Sequence, residues 1–540
     1  MKKLLKRTMA VLLGLSLVAA TAACGKETDP TPPEQVQNQE QETASTGDKD
    51  EGISPDSPYA GMGFDLSEHK TVVMYTPCDV PEDIDKVLAE ANEKYFHPWL
   101  NTTFEVKFIS WADLATKYSL ILAGSDQVDI MFTGNWCHFT DSIAKGAFRK
   151  LDPEWLKKYL PMSYEEQPEV SWDQASVNGV IYGIPKTASI FNNYRFVAVR
   201  GDLMEKYGFD RLESYEDFKE YLYAVAADTA ETGIYASAQS GGSPEFGERL
   251  WWQTENCIKL APGYDFWYHT HNSEDVPDYD QDVFYQFTSE EFRDFCLEMA
   301  QMAKDGIWSK DAINTTTGAR EAFPNGTAAS MISNTTLYSY GEQLEASGLG
   351  TYEAWDITPD IKRPRGVYSD DMVAIPTNCK DPERAALIID CIKGFSEVNN
   401  LINGGIEGVH YNLEEDGSRT LGPDASKYVW GAWAWGLQRN DQPKDASNIG
   451  EIEFEEICAA QEFVPKSLGF TFDRTPVETQ LAVINSIRDE YYNSFQIGVF
   501  GDDTEAKLDE FRKRLEDAGI ADVEAEMKKQ WLAYCERKGY

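Results

Sequence analysis

Strands and helices alternate at short spacing through residues 71–136, and that rhythm restricts the fold more than any other feature of the chain. Residues 71–74 are a β-branched, apolar run, the signature of a strand covered on both faces. Residues 81–96 then carry Ile84, Val87, Leu88, Ala91 and Tyr95 at helical spacing, and residues 104–109 alternate as a strand. A second helix over 113–122 is ended by Gly124, and a third strand over 128–132 runs into Thr133-Gly134-Asn135-Trp136. This order predicts a doubly wound parallel sheet. Ligands of such sheets sit beyond the carboxyl ends of the strands, so the loops at 75–79 and 133–136 lie where binding is expected.

A second block begins after Tyr182-Gly183-Ile184-Pro185-Lys186. Residues 190–200 read as a strand leading to a helix at 203–207, and Ser214 with Asp217 forms a capping-box pattern opening another. Ser289, followed by Glu290 and Glu291, reads as a simple N-cap. A strand over 328–332 approaches Ser333-Asn334-Thr335-Thr336, and a helix is expected over 382–392. Residues 505–534 show helical periodicity broken near Gly519, which reads as terminal helices packed on a second lobe.

The amino terminus defines where the protein works. Lys2, Lys3, Lys6 and Arg7 precede an apolar run over 9–20, the layout of a secretory signal peptide. That run is too short for a bilayer crossing, which takes about 20 residues. Thr21-Ala22-Ala23-Cys24-Gly25 resembles the lipobox of bacterial lipoproteins, with Thr at the position where Leu is usual. Cleavage there leaves Cys24 to carry acyl chains, and two or more chains anchor stably where one does not. Residues 1–23 are then the signal, and residues 24–70, poor in aliphatic side chains, a flexible spacer.

Composition excludes several functions. A net charge of −42 provides no basic face for nucleic acid. Beyond Cys24, eight scattered cysteines with no CxxC read as buried free thiols, and six histidines without ligand spacing offer no metal site. Asp278, Asp280 and Asp282 lack the glycine and distal glutamate of a calcium loop. No HExxH and no G-x-S-x-G occurs. A surface glycoside hydrolase needs two carboxylates across a scissile bond, and none of the 91 acidic residues is singled out for that role by a motif. A surface adhesin would lack a cleft altogether.

Several segments in order carry a family resemblance: Val128-Asp129-Ile130-Met131-Phe132, residues 179–186, Lys304-Asp305-Gly306-Ile307-Trp308, residues 323–331 and residues 404–411. With the lipobox, the chain resembles the extracellular solute-binding proteins of bacterial sugar importers, in particular a large Gram-positive lipoprotein branch with an added C-terminal domain of uncharacterised type. The resemblance implies an α/β, two-lobed periplasmic-binding-protein-like fold with hinge strands and a ligand cleft between lobes. It places lobe 1 at 71–190 and 333–400, and lobe 2 at 191–332 and 401–540 with a C-terminal helical extension. It implies a monomer without catalytic residues or cofactor, held by membrane lipid on the extracellular face of the cytoplasmic membrane. Its partners would be an oligosaccharide and the permease subunits of an ABC transporter; a peptide or other solute is the alternative ligand. The ligand residues expected are Trp136 and Asp79 from lobe 1, and Trp252, Asn334, Thr335, Tyr338, Phe472 and Asp473 from the second block. Trp430, Trp433 and Trp435 stand evenly between core and cleft rim.

Overall fold

The computed structural model describes residues 52–111, 113–187, 194–241, 248–415, 419–431, 433–437 and 449–540. The signal segment, Cys24 and the first part of the spacer lie outside the described residues.

The predicted rhythm produces a five-stranded sheet in the order Thr102–Ile109, Lys70–Pro77, Ile130–Thr133, Met372–Ala374, Ile184–Pro185. Its first three strands are parallel, and Lys70–Pro77 pairs with Thr102–Ile109 along its whole length. One strand breaks the parallel pattern: Met372–Ala374 runs antiparallel to both of its neighbours, so Ile184–Pro185 again runs in the direction of the first three. Residues 72–77 are all buried, as a strand covered on both faces requires. Gly124 caps the helix Leu114–Ala123, and Ile84–Ala91 is followed by a single wide π-turn, Asn92–Phe96, before His97–Leu100.

Two large apolar cores form. The first joins residues of 59–184 to residues of 372–435; the second joins residues of 197–357 to residues of 470–535. The second lobe is built differently from the first, around the antiparallel sheet Ser330–Ser333, Phe196–Arg200, Tyr352–Trp355. Side chains alternate across its central strand. Val197 and Val199 enter the main core, while Phe196 and Ala198 enter a smaller one with Phe323, Leu337 and Phe454. A three-stranded antiparallel meander, Cys257–Lys259, Phe266–His269 and Val283–Tyr285, adds the wall that faces the first lobe.

Local signals fix the helix starts. Ser289 Oγ accepts the Phe292 N–H at 3.1 Å, as an N-cap should. Ser214 Oγ accepts from Asp217, but the Asp217 carboxylate returns to the Glu213 N–H rather than to Ser214. Glu478–Ile497, Thr504–Asp517 and Ile520–Lys538 close the second core, with Gly519 at φ +88° making the break between the last two.

The lobe boundaries expected from the resemblance shift. Residues 333–357 stay with lobe 2, because Tyr352–Trp355 pairs with its central strand. Residues 398–435 stay with lobe 1, since Val398, Leu401, Ile402, Tyr428 and Trp435 are buried in its core. The spacer also ends earlier than residue 70: Tyr59, Phe64 and Leu66 are buried in the first core. Sparse aliphatic content hid this, because three large side chains suffice to hold the segment. Tyr59 also donates its hydroxyl to Asp390 at 2.9 Å, and Asp390 accepts from Ser163 as well. Burial pushes the Asp390 carboxyl up to about 6.

A chain beginning at residue 71 should therefore be less stable than one beginning at residue 52. With about 1.5–3 kcal/mol for each buried side chain, the loss should be at least about 4 kcal/mol in urea unfolding. Equal midpoints for the two chains would return residues 52–70 to the spacer.

Candidate functional site

A cavity of about 330 Å³ opens between the lobes. Asn135, Trp136 and Asp370 reach it from lobe 1, and residues 256–259, Pro262, Gly263, Trp267, Ser467 and Leu468 from lobe 2. Tyr194, Ile361, Lys362 and residues 364–367 line it where the chain passes between the lobes.

The turn after Ile130–Thr133 aims Trp136 at this cavity. Gly134 is obligatory, because a Cβ there would meet the Asp370 carbonyl oxygen at 1.8 Å. Asn135 donates its backbone N–H to Ser369 O at 3.0 Å and its side-chain amide to Ser369 Oγ at 2.8 Å. His138, at φ +55°, returns the chain to a helix. Trp136 is thus left 46% exposed, its indole Nε1 donating to Asp371 Oδ1 at 3.2 Å.

Two further tryptophans join it. Trp111 follows the strand Thr102–Ile109, and Trp433 comes from the late lobe 1 segment. The three ring centroids are 5.8–6.1 Å apart, with Phe132 beneath at 5.5 Å from Trp136. Among the described residues these are the three exposed tryptophans, and they meet at one place. Exposed indoles cost free energy in water, so gathering three beside a cavity is the arrangement of a binding surface.

Beneath the platform lies a buried ion pair. Lys186 Nζ is 2.5 Å from Asp371 Oδ2, with side chains only 3% and 7% exposed. Lys393, fully enclosed, donates to Pro185 O at 2.7 Å. Burial, with Lys186 nearby, pulls the Lys393 amine down to about 7. On the far side, Gln253 clamps the start of lobe 2, accepting the Arg195 N–H and donating to the Arg195 carbonyl and Thr358 Oγ1.

The expected ligand residues divide. Trp136 lines the cavity. Asp79 is exposed beside Cys78, whose sulfur accepts the Gly431 N–H, so it lies near the Trp433 segment but outside the cavity lining. Trp252 is a correction: it is 1% exposed, stacked on Trp267 at 5.2 Å, because its apolar neighbours close over it. Its partner Trp251 packs on Tyr215 and Phe295. Phe472 is likewise core, edge-on to Tyr264 at 5.0 Å. Asn334 serves the helix start, its Oδ1 accepting from Thr336, and Thr335 is that helix's N-cap residue. Tyr338 packs against Phe454. Asp473 binds Asn178 across the lobes at 2.7 Å, beside a separate cavity of about 300 Å³. Trp435 is buried and Trp430 half-buried, leaving Trp433 as the exposed member of its trio, outside the cavity lining but against Trp136.

Trp111 was missed, although the rule that selected Trp136, a bulky ring just past a strand end, applies to it equally. Gln253, Lys259, Trp267 and Arg365 carried no sequence signal. Among the described residues no group of three or more His, Cys, Asp or Glu side chains is placed to hold a metal ion. Asp280 instead pairs with Lys528 at 2.5 Å, and Asp282 accepts the Asp278 N–H.

Unfolding frees Lys393 to return to its ordinary range. Above about pH 7 the unfolded chain binds the extra proton, so this lysine makes stability rise with pH from about 7 toward 10, by up to about 1.4 kcal/mol per pH unit. Lys393→Met should flatten that slope in denaturant midpoints measured from pH 6 to 9. An unchanged slope would show that Lys393 titrates normally.

Known proteins share this architecture. Residues 82–255 match the bacterial extracellular solute-binding protein family, and residues 466–536 match a domain of unknown function, DUF3502. The chain is 23% identical over 491 residues to a carbohydrate ABC transporter substrate-binding protein of Streptococcus pneumoniae serotype 4, covering 88% of this chain and 93% of that one. Among solved structures it resembles the N-glycan transport solute-binding protein NgtS of S. pneumoniae in complex with Man1GlcNAc. That match has a TM-score of 0.67 and 20% identity, over 86% of this chain and all of the other. It also resembles S. pneumoniae FusA in complex with kestose, with a TM-score of 0.58 and 14% identity over 87% of this chain and 99% of the other. At these identities the structural likeness speaks for the fold.

Proposed function

Since the chain belongs to the bacterial extracellular solute-binding proteins, we propose that its cleft captures an oligosaccharide and presents it to the permease of an ABC importer. The protein works outside the cytoplasm, as its family does. Membership also makes it a binding protein rather than the surface hydrolase that its many carboxylates left open.

One observation carries the ligand class: the platform of Trp111, Trp136 and Trp433 beside the interlobe cavity. Sugar rings offer flat C–H faces edged by hydroxyls. Indole faces cover the former while short polar groups at the cavity, here the half-buried Asn135 and Asn256, satisfy the latter. Three rings span more than one sugar unit, which favours an oligomer over a monosaccharide. The sugar ligands named for the related proteins support the same reading.

Delivery requires release, and a cleft between two separately cored lobes can open without unfolding either. We place the protein on the outer leaflet of the cytoplasmic membrane through acylated Cys24, with the segment ahead of Tyr59 as its tether. Anchoring keeps it at high local concentration near its permease.

Binding of a cognate oligosaccharide should raise the melting temperature and shrink the radius of gyration in solution scattering. Trp136→Ala should weaken calorimetric affinity by at least about tenfold in protein that still unfolds cooperatively, with some loss of melting temperature because Asp371 loses the indole donor. Unaltered affinity in that variant would remove Trp136 from the site. Mass spectrometry should find diacylglycerol on Cys24 of the native lipoprotein, and Cys24→Ser should release the chain into the medium.

A further inference from the structure

Charge in the cleft runs opposite to charge on the molecule. The sequence holds 91 acidic and 49 basic side chains, so an arbitrary patch should be acidic. The charged side chains lining the interlobe cavity are instead Lys259, Lys362 and Arg365, against Asp370 alone. The carboxylates behind them cancel only part of this charge: Glu462 pairs with Arg365, and Asp265 is shared by Lys259 at 3.4 Å and Arg488 at 3.5 Å. Lys362 is exposed, and among the described residues no carboxylate stands within ion-pair distance of it.

The loop carrying these cations is built rigidly. The Lys362 N–H donates to Asn272 Oδ1 at 2.8 Å. Arg363, next to it, is fully buried; its guanidinium lies 3.6 Å from the Tyr194 ring centroid, donates to the Thr358 carbonyl and pairs with Asp356. The Arg365 N–H donates to Phe463 O at 2.8 Å. The backbone that carries Lys362 and Arg365 is therefore fixed before any ligand arrives, and Glu462 also holds the Arg365 side chain, so binding has chiefly the Lys362 side chain left to order.

We propose that the oligosaccharide is acidic, carrying a carboxylate such as that of a uronic acid, seated against Lys362 and Arg365 while a ring stacks on Trp136. This rests on the oligosaccharide reading and adds a charge and an orientation to it. In an acidic protein a local basic cleft draws the anion in, disfavours cationic competitors and leaves neutral ones without this gain, so selectivity comes from the cavity rather than from the overall field.

The test is calorimetry on the folded chain with two sets of tetrasaccharides, neutral gluco- and manno-configured and their uronic-acid counterparts, at low and high salt. A uronic-acid member should bind at least about tenfold tighter than any neutral one at low salt. That advantage should shrink as the Debye length falls from about 10 Å at 0.1 M to about 3 Å at 1 M. Lys362→Gln should cost the acidic ligand about threefold or more, a larger factor than it costs any neutral one, whereas Trp136→Ala should weaken both. Neutral sugars binding as tightly as acidic ones, or an acidic preference indifferent to both salt and Lys362→Gln, would overturn the charge inference. If Trp136→Ala still weakened the neutral sugars, the oligosaccharide reading would stand without it. No binding by either set would overturn both.

Discussion

The buried pair of Lys186 and Asp371 is the contact on which the geometry of the cleft depends. Removing two charges from water costs several kcal/mol for each ion, recovered only if every lone pair and proton finds a close partner. Asp371 meets that demand by dividing its oxygens. One takes Lys186 on the edge of the first sheet, and the other takes the Trp136 indole. Lys186 sits where the chain leaves lobe 1, so the orientation of the binding platform and the path between the lobes share one carboxylate. Neither can drift without stranding a charge in a dry environment.

Around that fixed floor, exposure rather than composition makes the site. The chain has 14 tryptophans, and most are spent on packing: Trp252 on Trp267, Trp308 and Trp531 deep in lobe 2, Trp435 in lobe 1. Three remain exposed, and they come from segments far apart in sequence. The cations of the cleft are gathered in the same way, from the meander and from the loop wound around Arg363. Like charges resist crowding, so their positions rest on specific bonds from Asn272, Asp356 and Glu462.

Much of the fold was legible because its signals are local. The period-two and helical patterns over residues 71–132 follow from backbone geometry and hold in the first sheet. The caps at Ser214 and Ser289 and the break at Gly519 rest on bonds within four residues or on a backbone angle only glycine adopts freely. The lobe boundaries were not legible, since whether residues 333–357 join lobe 2 depends on strand pairing across more than a hundred positions. The end of the spacer was hidden for the same reason. Tyr59 finds its partner in Asp390, which no local pattern announces.

The sequence by itself determined the export signal pattern, the α/β character of the chain, the family it resembles and Trp136 as a strand-end ring. Each follows from neighbours along the chain. Only the tertiary structure decided which aromatics stand exposed together and which are core, burying Trp252 and Phe472 while leaving Trp111 and Trp433 exposed beside Trp136. The reason is physical: burial is a property of what packs on the other side, and the other side comes from a distant part of the chain. The same holds for charge, where Lys362 and Arg365 become a cleft feature only once the two lobes face each other.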